Sequence, residues 1–280
     1  MPEGHTLHRL ATAVRERFAG RTVAVSSPQG RFAESARLVD GTELVTAESF
    51  GKHLFVSFAH ERFVHVHLGL YGKLDLYDGP PPPPVGQVRM RIAAGPPRPA
   101  YADLRGATAC ELLTAEQRDA ILDRLGPDPL RDDADWTRAW DRVHRSRAPI
   151  GGLLMDQAVL AGVGNVYRAE VLFRHRLHPL RPGTSVRRGR FEALWEDLVE
   201  LMREGVRTGR IDTVHTAHTP EVMGRAPRVD DHGGEVYVYR RQGQPCHVCG
   251  TRVRTEVLGG RNLFWCPRCQ PVFRSRARSL

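Results

Sequence analysis

Gln244-Pro-Cys246-His-Val-Cys249-Gly250 and Phe264-Trp-Cys266-Pro-Arg-Cys269-Gln270 hold four of the chain's five cysteines, in the pattern Cys246-x2-Cys249-x16-Cys266-x2-Cys269. Each Cys-x-x-Cys knuckle offers two thiolates from one tight turn. The intervening loop is long enough for a β-hairpin to bring the pairs together around one tetrahedral metal ion. Gly250 and Pro267 are residues that such turns use. Two disulfides are the competing reading. The chain shows no secretory signal, and cytosolic thiols stay reduced. The spacing therefore predicts one structural Zn²⁺ on Cys246, Cys249, Cys266 and Cys269, with no open position for chemistry.

Charge gathers in the same region. From Arg240 to Leu280 there are nine arginines and one acid, Glu256, a balance of +8 in a chain of net charge +9. Charge this localised is a footprint for a polyanion. A solvated basic tail accounts for Arg274, Arg276 and Arg278, but not for Arg261, which lies between the two knuckles. A zinc ribbon that grips nucleic acid follows, and by itself it separates no enzyme from a binding module.

The chain has 280 residues, 41% hydrophobic and 26% charged, room for two globular domains and an appendage. No apolar run approaches the roughly 18 residues of a membrane span. The start, Met-Pro-Glu-Gly-His, has no basic or apolar region of a signal peptide. A cytoplasmic protein without a membrane partner is expected. Cys110 lies in an apolar stretch and reads as an inert core residue. Of 41 basic residues, only Lys52 and Lys73 are lysines. Arginine cannot give up a proton in the working range, so a surviving lysine is a candidate for proton chemistry.

Leu7, Leu10, Ala11, Val14 and Phe18 predict a helix over 4–18. Strands are expected at 22–27, 42–48, 53–59, 62–68, 73–77 and 87–93, with Pro80–Pro84 a loop between them. His65 and His67 share one face of an alternating strand, as a satisfied pair or a metal pair. Gly126-Pro-Asp-Pro129 then punctuates a change to helices at 134–143, 149–158, 165–175 and 188–207. Residues 209–234 read as a loop or partly disordered segment. Gly162-Val-Gly164-Asn165 precedes a helix, where exposed backbone N–H groups bind phosphate. The expected organisation is a β-sandwich domain over 1–130, a helical domain over 131–235, a finger over 236–270 and a basic tail over 271–280.

Removal of Met1 would leave Pro2 with a free secondary amine. An α-amino group titrates near about 8, so part of it is neutral and nucleophilic at cellular pH. Attack on an aldehyde-like carbon gives an iminium ion, an electron sink that acidifies the adjacent C–H. Glu3 beside it suits general acid–base work. The competing reading is that Pro2 and Glu3 merely start a helix.

Met1-Pro2-Glu3-Gly4, Gly51-Lys52-His53-Leu54, Gly162-Val-Gly164-Asn165-x4-Glu170 and Gly260-Arg261 before Cys266-x2-Cys269-Gln270 together resemble the formamidopyrimidine-DNA glycosylase/endonuclease VIII family. The match spans the whole chain, in order, and the opening most resembles the actinobacterial endonuclease VIII branch. The resemblance implies an α+β fold: an N-terminal helix with a β-sandwich, a helix–two-turns–helix domain and a four-cysteine zinc-finger hairpin, with DNA between the domains. It implies a monomeric, bifunctional glycosylase and lyase of base excision repair acting on damaged duplex DNA by β,δ-elimination. Pro2 then resembles the Schiff-base nucleophile, Glu3 the acid assisting base loss, and Lys52 the lysine needed for β-elimination. Arg261 resembles the finger arginine on the lesion-flanking phosphate, and Glu170 an acid near the catalytic amine. Gly164, Asn165 and Arg124 resemble DNA contacts, and Leu70-Tyr71 the wedge that fills the gap of an extruded base. Gly69 stands where the endonuclease VIII branch keeps a polar wedge residue. Of the longer Asp-Pro-Arg-Arg-Phe-Gly motif of the purine branch only Asp103-Leu104-Arg105-Gly106 remains, which favours oxidised pyrimidines over 8-oxoguanine. The rivals are an 8-oxoguanine glycosylase of the same fold and a non-catalytic zinc-ribbon binder.

Overall fold

The alternating runs between residues 21 and 113 become eight strands in the computed structural model of the protein, which describes residues 2–230 and 234–273. They are β1 (Arg21–Ser26), β2 (Thr42–Phe50), β3 (His53–Phe58), β4 (Arg62–His67), β5 (Lys73–Asp78), β6 (Val88–Ala94), β7 (Ala100–Arg105) and β8 (Ala109–Leu113). Their antiparallel order is β5-β7-β6-β1-β2-β3-β4-β8. β1 changes partner midway: Arg21–Val23 pairs with β2 and Ala24–Ser26 with β6. The sheet therefore folds over at β1 into a sandwich. Leu54, Val56, Val64 and Val66 from one half and Met90, Ile92, Ala102 and Leu104 from the other share one core. Helix α1 (Gly4–Phe18) adds Leu7, Ala11, Val14 and Phe18 to it, at the helical spacing read from the sequence. Cys110 joins this core, and burial pushes its thiol up to about 12.

Sequence reading missed β7 and β8 and two short helices, α2 (Ala33–Val39) and α3 (Ala115–Leu122). β7 hides its period because Asp103 is buried on an ion pair: Arg91 grips it with two bonds of 2.7 and 2.8 Å, and Arg105 adds a third at 2.8 Å. α3 buries no residue, so it carries no apolar stripe. Its signal was Thr114-x-x-Gln117, a reciprocal capping box.

The chain divides after Leu125, not after Leu130. Leu130 is buried in the second unit's core, and Gly126 N–H donates to Gln157 O at 2.9 Å. That unit contains α4 (Trp136–His144), α5 (Ile150–Leu153), α6 (Asn165–Arg174), α7 (Arg188–Thr208), the single-turn α8 (Pro220–Met223) and a hairpin, β9 (Arg254–Leu258) and β10 (Arg261–Trp265). The helix expected over 149–158 stops at Leu153, and the chain turns where Asp156 Oδ1 accepts from Ala158 N at 2.9 Å. Among the described residues no helix is long and apolar enough to cross a membrane. The tail arginines 274, 276 and 278 lie outside the described residues, as does Met1.

Val236, Tyr237, Val238 and Tyr239 lie in the core that the helices of the second unit share with the finger. The reason is Glu170, with 0% exposure. Its Oε1 accepts from the N–H groups of Val238 and Tyr239 at 2.9 and 2.8 Å. Its Oε2 accepts from Tyr237 N and Thr213 Oγ1, both at 2.6 Å. One carboxylate thus satisfies three successive backbone donors that no helix or strand would satisfy. Tyr237 in turn accepts at its hydroxyl from His215 N at 2.9 Å and bonds His218 Nδ1 at 2.9 Å, so residues 213–218 are pinned rather than loose. Glu170→Gln keeps the shape but turns an N–H donor toward donors. We expect it to lose about 3 kcal/mol of unfolding free energy in urea titration. A loss under about 1 kcal/mol would contradict this role.

Candidate active site, nucleic-acid interface and metal centre

Pro2 and Glu3 precede α1, whose first residue is Gly4. Glu3 stands at the N-cap with extended backbone (φ −118°, ψ 177°), yet its side chain makes no capping bond, and the first turn holds no acid. Its side chain is also fully buried. Helix initiation therefore does not account for this carboxylate. Lys52 is the second residue of a two-residue hairpin joining β2 and β3, and Gly51 takes φ +57° at the first position, as a primed turn requires. Gly20 N donates to Leu44 O at 2.8 Å, and Arg15 Nη1 to Ala47 O at 3.2 Å. Going back along α1 thus accompanies going forward along β2. From Arg15 to Pro2 the helix covers about 20 Å, and from Ala47 to Lys52 the strand covers about 17 Å. Pro2, Glu3 and Lys52 consequently share one end of the N-terminal unit.

Beside Lys52 lies a histidine ladder on the sheet face away from the sandwich core. His53 Nδ1 meets His65 Nε2 at 2.8 Å, and His65 Nδ1 meets Glu111 Oε1 at 2.8 Å. The His53 ring stacks on His65 and tilts against His67, with centroids 5.1 Å apart in both cases. His65 and His67 do share a face, and both ring nitrogens of His65 are engaged, by His53 and Glu111. Burial, then the cations of His65, His67, Arg124 and Lys52, push His53 down to about 3. His67 is lowered by burial in the same way.

The loop Gly69-Leu70-Tyr71-Gly72 projects its apolar pair, with Leu70 52% and Tyr71 85% exposed. Gly69 has φ +68°, and a Cβ built there would meet Thr108 Oγ1 at 1.9 Å. A side chain at 69 would require the positive φ and a shift of the Thr108 hydroxyl. Arg105 is committed to Asp103 at 2.8 Å and Asp75 at 3.5 Å. Arg124 is exposed just after α3, its Nε on Ala120 O at 3.0 Å.

In the second unit the Gly162–Asn165 turn is built differently from expectation. Gly162 N–H is not presented outward but donates to Gln157 Oε1 at 3.0 Å, while Gln157 Nε2 donates to Val163 O at 3.0 Å. Gly164 caps α6, and Asn165 is its first residue, 7% exposed. Asn165 Oδ1 accepts from Arg168, which also donates to Gly151 O at 3.2 Å and to Asn262 O at 2.9 Å. Gln157 and Arg168 were missed by sequence reading. A polar residue in an apolar helix, four residues from a Gly-x-Gly turn, was the available signal.

Glu170 had been read as an acid near the catalytic amine. Its four donors occupy both oxygens. It is an anchor of the helical core.

The four sulfurs of Cys246, Cys249, Cys266 and Cys269 lie within 4.8 Å of one another, the only such ligand group among the described residues. None is in a disulfide. Cys246 and Cys269 are 3.9 Å apart and Cys249 and Cys266 3.4 Å apart. Zn–S bonds of 2.3 Å give tetrahedral edges of about 3.8 Å, so the donor set fits zinc. Val248 N and Cys269 N donate to Cys246 and Cys266 sulfur at 3.4 Å, as knuckle turns do. Gln270, fully buried, accepts from Cys266 N at 3.0 Å and donates to Leu177 O at 2.8 Å. That bond fastens the finger to the helical body. Gly259 and Gly260 (φ +55° and +72°) turn the β9–β10 hairpin, and exposed Arg261 follows directly.

An unfolded histidine takes its proton near 6.5, whereas His53 resists until about 3. Between those values the unfolded chain binds more protons, so stability falls as pH drops below about 6.5. We expect the urea midpoint at pH 5 to lie below that at pH 7.5. Replacing His53 by Phe should shrink the difference. An unchanged difference in His53→Phe would contradict the burial of a neutral His53.

Residues 1–110 match the Formamidopyrimidine-DNA glycosylase N-terminal domain, 125–217 its H2TH domain, and 243–272 the zinc finger found in FPG and IleRS. The chain is 52% identical over 277 residues to a protein named Endonuclease 8 1 from Mycobacterium tuberculosis strain H37Rv, covering 96% of this chain and 100% of that one. It is 32% identical over 288 residues to the Formamidopyrimidine-DNA glycosylase of Methylococcus capsulatus, with coverage of 96% and 100%. The fold superposes on the crystal structure of Lactococcus lactis Fpg in complex with abasic-site DNA with a TM-score of 0.77 at 18% identity, covering 96% and 100%. With three consecutive domains and full-length relatives in agreement, this chain belongs to the formamidopyrimidine-DNA glycosylase/endonuclease VIII family of DNA glycosylases, on its actinobacterial side.

Proposed function

We propose that the protein excises oxidised pyrimidines from duplex DNA and cleaves the strand at the resulting abasic site, with Pro2 as nucleophile. The observation that carries this reading is Glu3: a fully buried acid beside the Pro2 amine that leaves its helix uncapped. In the proposed sequence the damaged nucleotide leaves the stack, and exposed Leu70 and Tyr71 hold its neighbours apart. Glu3 delivers a proton as the base departs, and the Pro2 nitrogen bonds to sugar C1′ in its place; the C1′–O4′ bond then breaks, O4′ takes up a proton and C1′ becomes an iminium carbon. The iminium draws electrons from C2′–H, a base removes that proton, and the 3′ phosphate leaves; a second elimination releases the 5′ phosphate. Lys52, at the same end of the unit, serves proton transfer. Arg261, Asn165 and Arg124 hold phosphates. Commitment of Arg105 to Asp103 and Asp75 leaves no arginine wedge of the purine type, which supports the pyrimidine preference. One Zn²⁺ on the four cysteines would supply local folding energy to the Arg261 hairpin and no reacting group. We further propose a monomer working in the bacterial cytoplasm.

Single-turnover rates on duplexes carrying thymine glycol, dihydrouracil or 8-oxoguanine test the substrate. We expect the two pyrimidine lesions to be released faster, and faster release of 8-oxoguanine would overturn the preference. Lys52→Arg should bind an abasic duplex like the unaltered protein but cleave it about 100-fold more slowly, while Lys73→Arg does neither. Equal cleavage by Lys52→Arg would reduce Lys52 to a fixed charge. Arg261→Ala should retain zinc yet lower the salt slope of binding by about 0.9, the share of one phosphate contact.

A further inference from the structure

We propose that Arg168 is a positioning residue that sets the Asn165 turn and the Arg261 hairpin as one anion-binding surface. The inference rests on the reading above, in which both elements hold DNA phosphates. Arg168 is 1% exposed and heads the fully buried large side chains. Burying a guanidinium is costly, and an apolar side chain of similar volume would pack the space at less expense. The three acceptors given above, Asn165 Oδ1, Gly151 O and Asn262 O, are all neutral oxygens. They engage both of its terminal nitrogens. The guanidinium charge stands one turn into α6, where it adds to the positive end of the helix dipole.

Two geometric consequences follow. Arginine has donors only, so the Asn165 amide must turn its oxygen toward the guanidinium. The NH2 end is then the one left for a ligand, and a phosphate needs donors. The bond to Asn262 O acts on the other element. Asn262 follows Arg261 in β10 and pairs with Val257 across the hairpin. Holding that carbonyl at 2.9 Å from Arg168 fixes the distance of the arginine's strand from α6. Two of the four α5 residues are glycines against the hairpin: a Cβ built at Gly151 would meet Leu263 Cδ2 at 3.3 Å and one at Gly152 would touch Leu258 Cδ2 at 3.6 Å. A single buried cation thereby sets both the amide's direction and the hairpin's height.

The test is a mutant cycle on the full-length zinc-loaded protein, with a duplex containing a tetrahydrofuran abasic analogue as probe. Arg168→Met preserves volume and removes donors and charge. We expect it to keep its zinc and weaken binding by about tenfold, and Asn165→Ala and Arg261→Ala to lose most of their effect in that background. A purely packing role would lower the unfolding temperature and leave those two effects undiminished, which would overturn the proposal. So would unchanged binding by Arg168→Met while the two single variants are weakened. Full binding by both single variants would overturn the phosphate assignment and the Arg168 proposal together, a different pattern from the first. If Arg168→Met loses zinc, Arg168→Lys carries the cycle. It keeps the charge but cannot span three acceptors. It should weaken binding less than Arg168→Met does in any soluble fraction and still reduce the 165–261 coupling, whereas full coupling would count against the proposal.

Discussion

A carboxylate surrounded by backbone donors holds the C-terminal unit together. Glu170 takes the N–H groups of residues 237–239, a stretch with no sheet or helix of its own. From there Arg241 reaches back to Tyr237 O at 2.6 Å and forward to Pro245 O at 2.8 Å, next to the first zinc knuckle. The finger is thus suspended from α6 at one end by Glu170 and Arg241, and at the other by Gln270 on Leu177. Asn165, Arg168 and Glu170 all lie on the same ten-residue helix. Every residue from Asn165 to Phe173 is buried, so polar groups point inward on all sides and each needs a partner.

The two units divide the work by chemical type. In the proposed function the N-terminal unit holds the groups that move protons, Pro2, Glu3 and Lys52. The C-terminal unit gathers fixed donors and fixed charge. The scarcity of lysine fits this division, since arginine serves wherever only charge is wanted. Burial keeps His53, beside Lys52, neutral.

Elements with a clean period or a metal spacing were legible in the sequence. α1, α7 and β2 to β6 follow apolar repeats, and the four cysteines follow coordination geometry. Elements stabilised by polar burial were not. β7 is interrupted by Asp103, and residues 236–239 read as the start of the finger while their backbone donors go to a distant glutamate. Gly162 and Gly164 announced a turn, yet the internal bond of Gly162 to Gln157 was invisible, because a glutamine's partner leaves no trace in spacing. Pro2 and Glu3 were legible only in company with Lys52 and Arg261. In the structure Glu3 is fully buried at the start of α1.

The central claim is covalent chemistry at the amine of residue 2. It is tested most directly by sodium borohydride reduction with a duplex carrying an abasic site, followed by peptide mapping of the adduct. The account predicts a stable protein–DNA adduct on the N-terminal peptide, at Pro2. An adduct mapped to Lys52 or Lys73, or none under conditions that cleave the strand, would contradict it.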